Sequence, residues 1–79
     1  MADPFRQQVL AAFGVAVRRL RSEHGWSQEE LADRVGIHRT YMGDVERGAR
    51  NIGLVKIARI ADALDLPISG LMAEVERSV

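Results

Sequence analysis

The stretch Gln28–Arg47, QEELADRVGIHRTYMGDVER, constrains the chain more than any other. Apolar residues recur at helical spacing on either side of Gly36: Leu31, Ala32 and Val35 before it, Ile37, Met42 and Val45 after it. Helices this short are not stable alone, so the two must pack on each other and on a third element. Ala32 is small where they cross most closely, and Gly36 accepts the positive φ of a tight turn. Such packing leaves the outer face of the second helix uncovered. That face carries His38, Arg39, Thr40, Tyr41, Gly43, Asp44 and Arg47. Hydrogen-bonding groups gathered at the start of a helix are what a reader of DNA base edges requires.

The rest of the chain supplies the frame. Asp3 and Pro4 fit the N-cap and first position of a helix, whose apolar face runs from Phe5 through Val9, Ala12, Phe13, Ala16, Val17 and Leu20 to a stop at Gly25. His24 reads as a solvated helix-end residue. Ser27 and Glu30 form a capping box, with Trp26 and Leu31 in the two staple positions, which assigns Trp26 to the core and starts helix two. Helix two runs to about Val35, and helix three from near His38 to just before Gly48. Arg50 and Asn51 fall in the following loop. Gly53 precedes helix four, with the stripe Leu54, Ile57, Ala58, Ile60, Ala61 and Leu64. Pro67 breaks the chain before a short fifth helix. No strand-like alternation is present, so the expectation is an all-α, five-helix single domain over 1–79. Its two-helix unit lies at about 27–47 and helices four and five at about 53–76. These last helices carry more apolar residues than a short hairpin hides. Leu64, Leu66, Ile68, Leu71, Met72 and Val75 are therefore the expected homodimer interface, shared with closure of the monomer core.

Composition narrows the function classes. A chain of 79 residues buries only about 60% of its unfolded surface and gains from a partner. It has no cysteine, and His24 and His38 are isolated, so neither a disulfide nor a metal site nor a cofactor is expected. No nucleophile–base–orienter set points to an enzyme. The apolar run Val9–Val17 is too short to span a bilayer, and Arg6 alone makes no signal-peptide n-region; a cytoplasmic protein without a membrane partner is expected. Net charge is zero, but its distribution is polarised. Residues 1–59 hold ten basic and seven acidic side chains (+3), and residues 60–79 hold one and four (−3). An acidic tail on a basic body leaves a cationic face for nucleic acid.

Trp26–Leu66 resembles the lambda-repressor-like helix–turn–helix family, the XRE or Cro/C1 type, through W-S-Q-E-E-L-A, V-G-I, V-E-R-G and K-I-A-R-I-A-D-A-L. Within it, R-T-Y after V-G-I-H, followed by E-R-G-A-R-N, is most similar to the controller proteins of restriction–modification systems. The resemblance implies a homodimeric, autoregulatory, sequence-specific transcription regulator on a pseudo-palindromic double-stranded DNA operator. An antitoxin or phage-type repressor of the same fold is the alternative, and a protein-interaction module without DNA binding is the alternative of another class. Position by position, it implies that Arg39 and Thr40 face bases and that Gln28, Arg47 and Arg50 meet phosphate, with Asn51 beside the two arginines. Tyr41 meets backbone or a thymine methyl, and His38 caps helix three or touches phosphate. Gly43 and Asp44 stand where the family places polar readers. Asp44 either accepts from a cytosine amine or orients Arg47 or Arg39. Arg21 and Glu46 match a pair that ties helix one to the end of helix three. Glu29 and Asp33 match an activating patch for the RNA polymerase sigma subunit, or else serve only the dipole of helix two and the solvent.

Overall fold

The structure, a computed structural model, describes residues 3–78. The chain forms α1 (Pro4–Glu23), α2 (Gln28–Val35), α3 (Arg39–Glu46), α4 (Leu54–Ala63) and α5 (Ile68–Glu76), with no strand among the described residues. The first three helices begin on side-chain caps. The Asp3 carboxylate accepts from the Arg6 N–H. The Ser27 hydroxyl accepts from the Glu30 N–H at 3.1 Å, and the Glu30 carboxylate accepts from the Ser27 N–H at 2.9 Å. That backbone donor holds the Glu30 carboxyl below its ordinary range. His38 Nδ1 accepts from the Thr40 N–H at 3.0 Å.

The first four helices end alike. Gly25, Gly36, Gly48 and Asp65 all adopt positive φ. In each case the next residue's N–H reaches back five positions: Trp26 to Arg21, Ile37 to Ala32, Ala49 to Asp44, and Leu66 to Ala61. This reversal satisfies carbonyls that a helix end would leave orphaned. At 65 an aspartate does what glycine does elsewhere, at the steric cost of a Cβ in the left-handed region.

α1 packs on α3 and α5, α2 on α3 and α4, and α4 on α5. Leu31, Met42, Ile60, Leu71, Val17 and Val45 are fully buried at the centre. Gly14 sets the closest approach. A Cβ there would stand 2.6 Å from the Val45 carbonyl oxygen and closer still to that of Glu46. A glycine inside a helix costs about 1 kcal/mol relative to alanine, and here it lets α1 lie against the C-terminal end of α3. Overpacking strain is about 1–3 kcal/mol, and the obstacle here is backbone. We therefore expect Gly14→Ala to destabilise by about 2 kcal/mol despite its better helix propensity. A denaturant melt checks this; an unchanged or raised midpoint would refute it.

The structure revises several expectations. Leu64, Leu71 and Val75 are buried in the protomer core, so they cannot form a dimer interface. Leu66 and Met72 are half-buried and Ile68 is exposed. Leu54 leaves the expected core stripe and is 71% exposed, as its neighbour Val55 largely is. Phe5 is exposed too; the stripe of α1 becomes core only beyond Val9. Trp26 is half-buried, with the His24 ring stacked on it at 4.3 Å and the Arg34 guanidinium 4.0 Å from its centroid. His24 is an exposed residue at the end of α1, as expected, but not a free one: its Nε2 also lies 3.2 Å from the Leu64 carbonyl oxygen and links the ends of α1 and α4. No described helix is long and apolar enough to cross a membrane.

Candidate nucleic-acid interface

The polar end of α3 is held from beneath by one buried carboxylate. Glu46 closes α3 with its side chain only 3% exposed. Arg21 of α1 grips it through Nε at 2.6 Å and a terminal nitrogen at 3.0 Å. The same guanidinium donates to the Trp26 carbonyl at 2.7 Å, and the Glu46 carboxylate raises its pKa further above an already high value. Gln28, in the first turn of α2, donates to Glu46 at 3.0 Å. One carboxylate therefore fixes three helices relative to one another. A planar fork on a carboxylate sets angle as well as distance.

On this base the α3 side chains separate into groups. Arg39 and Thr40 are exposed at its N-terminus, and Arg39 has no ion-pair partner among the described residues. Arg39 borders a shallow concavity with Ile37, His38 and the exposed carboxylates of Glu29 and Asp33. His38 uses Nδ1 for its cap, so only Nε2 is open to a ligand. Gln28 commits one amide N–H to Glu46 and keeps its second donor.

A second group clusters past the middle of α3. Asp44 pairs with Arg47 through Oδ1 and with Arg50 through Oδ2, the latter at 3.2 Å. The Tyr41 ring lies beneath two cations, with Arg50 Cζ at 4.8 Å and Lys56 Nζ at 4.2 Å from its centroid. Arg47, Arg50 and Lys56 thus converge from α3, the loop and α4. Exposed ion pairs and cation–π contacts of this kind are weak; they gather the cations without committing them.

Several expected assignments change here. Of the roles expected for Asp44, the pairing with Arg47 is present, Arg50 joins it on the other oxygen, and Arg39 is not engaged. Gly43 is buried, with Arg47 and the Gln28 carboxamide directly over it, so it presents no outer surface. Asn51, next to Arg50 in the loop, also borders a hollow with Asp3, Phe5, Arg6, Val9 and Leu10 at the start of α1. No local pattern points to Lys56, because its partner Tyr41 is fifteen positions away.

Comparison with known proteins identifies the family. The profile of the Helix-turn-helix family HTH_3 matches residues 17–71. The chain is 44% identical over 61 residues to the control protein C.BamHI of Bacillus amyloliquefaciens, covering 76% of this chain and 75% of that protein. It is 43% identical over 56 residues to the control protein C.SmaI of Serratia marcescens, covering 71% and 67%. Among solved structures it is similar to the restriction-modification controller protein C.AhdI from Aeromonas hydrophila. That match has a TM-score of 0.76 and 48% identity over 78% of this chain and 94% of that one. A family profile that spans most of the chain, with its two-helix unit built as described, decides the matter: the chain belongs to the Helix-turn-helix family.

Proposed function

We propose that the chain is a homodimeric, sequence-specific DNA-binding transcription regulator of the controller-protein type, acting in the cytoplasm on an operator near its own gene. The observation that carries this reading is the exposed N-terminus of α3. It presents Arg39 and Thr40 on a base locked by the buried Arg21–Glu46–Gln28 network, in a chain similar to named control proteins. Arg39 enters the major groove and reads a guanine with its fork. Arg47, Arg50 and Lys56 lie against phosphates, as does the free N–H of Gln28, and set the register without reading sequence. The second protomer docks through surface the fold leaves open. Ile68, Leu66 and Met72 remain accessible, and Leu54 and Val55 add apolar area at the start of α4. A two-fold pair reads half-sites about 34 Å apart. Its occupancy then rises with protein concentration, as autoregulation requires. Glu29 and Asp33, exposed beside Arg39, are left for the polymerase sigma subunit.

The test is a mobility shift on the DNA upstream of the protein's own gene against random duplex, at several salt concentrations. A complex that survives excess random competitor is expected; no preference at any salt concentration overturns the reading. Arg39→Ala should weaken binding to the upstream DNA by about 1–3 kcal/mol, roughly 5- to 150-fold, with little change on random duplex. Equal losses on both would remove Arg39 from base reading.

A further inference from the structure

We propose that Asp44 is an intramolecular competitor for DNA phosphate: in the free protein it occupies the anion position between Arg47 and Arg50 that a phosphate takes in the complex. The inference rests on the DNA-binding reading above but concerns a property the reading does not require. Each oxygen of the Asp44 carboxylate is taken by a different guanidinium, Oδ1 by Arg47 and Oδ2 by Arg50. Two cationic forks converging on one anion from different backbone segments is the arrangement that binds phosphate. Here the anion is part of the chain.

The three side chains differ in mobility. Asp44 is short, belongs to a helix, and is 21% exposed. Arg47 and Arg50 are long and mostly exposed, so they can swing outward while the carboxylate stays. A phosphate that recruits both arginines must therefore draw them off Asp44 and bring its own charge near a carboxylate that cannot retreat. Tyr41 keeps the released Arg50 close, since its ring carries that cation and Lys56 together. Arg39 has no such competitor among the described residues. The chain thus weakens its grip on the backbone while leaving Arg39 outside any ion pair among the described residues. The net charge of zero has a local counterpart in this cluster.

A carboxylate with this role has a signature opposite to that of a base reader or a positioning residue. Asp44→Asn keeps the shape and removes the charge. On a random-sequence duplex, which tests phosphate binding whether or not any operator is recognised, D44N should bind roughly three- to tenfold tighter, the gain from not breaking two exposed ion pairs. The logarithmic salt slope should steepen by about one per protomer, because no cation is taken up by the vacated carboxylate. The gain should shrink when Arg47 and Arg50 are both replaced by alanine in the D44N protein. A matching melting curve checks that D44N folds as the parent does. If D44N weakens binding on random and upstream DNA alike, Asp44 orders the arginines for phosphate and the proposal fails. If it weakens binding on the upstream DNA alone, Asp44 reads a base and the proposal fails. A gain of the same size without Arg47 and Arg50 also overturns it, since the effect would then be general charge.

Discussion

Replacing Glu46 by alanine is expected to cost about 3–5 kcal/mol of folding stability. The cost lies less in the lost attraction than in what remains. Arg21 would keep a mostly buried guanidinium whose Nε and one terminal nitrogen have lost their acceptor, and Gln28 would lose its partner as well. A chain of this length has roughly 4–12 kcal/mol in total, so the variant should melt at least ~12 °C lower and bind DNA weakly because α3 is no longer held. Arg21→Ala should cost a similar amount, since it strands the carboxylate. Combining Arg21→Met with Glu46→Leu should cost much less than the sum, because an apolar pair leaves no unpaired charge. Additive losses in that double-mutant cycle, read by denaturant melts, would show that the two residues do not act as a pair.

Glu46 also shows what is legible in a sequence of this kind. Its partner lies 25 positions away, and no local pattern announces the pair; only the family resemblance does. Signals confined to one turn of helix are different. Ser27 and Glu30 cap α2 because both hydrogen bonds close within three residues, and Gly25, Gly36 and Gly48 end helices because positive φ is a local property. Asp65 does the same work without the telltale glycine, so that helix end is announced only by Pro67 behind it. Apolar periodicity locates a buried face but not what covers it. Leu64, Leu71 and Val75 satisfy a dimer stripe as well as a core stripe, and the packing of α5 on α1 and α4 decides for the core. The polar end of α3 divides in the same way. Arg39 and Thr40 are legible as exposed residues because the packing of the two short helices leaves the outer face of the second uncovered. The Asp44–Arg47–Arg50–Tyr41–Lys56 cluster is not, because it depends on a loop returning over α3 and on the first turn of α4 meeting Tyr41.

That cluster governs the second large effect, the response of DNA binding to salt. Each protomer brings Arg47, Arg50 and Lys56 together, less the charge of Asp44. The net is two positive charges per protomer and four per dimer. With a slope of about −0.9 for each phosphate neutralised, raising monovalent salt from about 50 to about 200 mM should weaken dimer binding roughly 10²-fold. Arg47→Ala or Arg50→Ala should flatten that slope and weaken binding on every sequence, while Arg39→Ala should leave the slope nearly unchanged and reduce discrimination. The distinction follows from geometry. A guanidinium placed against guanine releases no counterion from a phosphate, whereas one placed against a phosphate does. Anisotropy titrations at four or five salt concentrations would measure the slope directly. A slope shallower than about −2 for the dimer would mean that these cations do not reach the backbone, and affinity would then have to come from the groove contacts of Arg39 and Thr40.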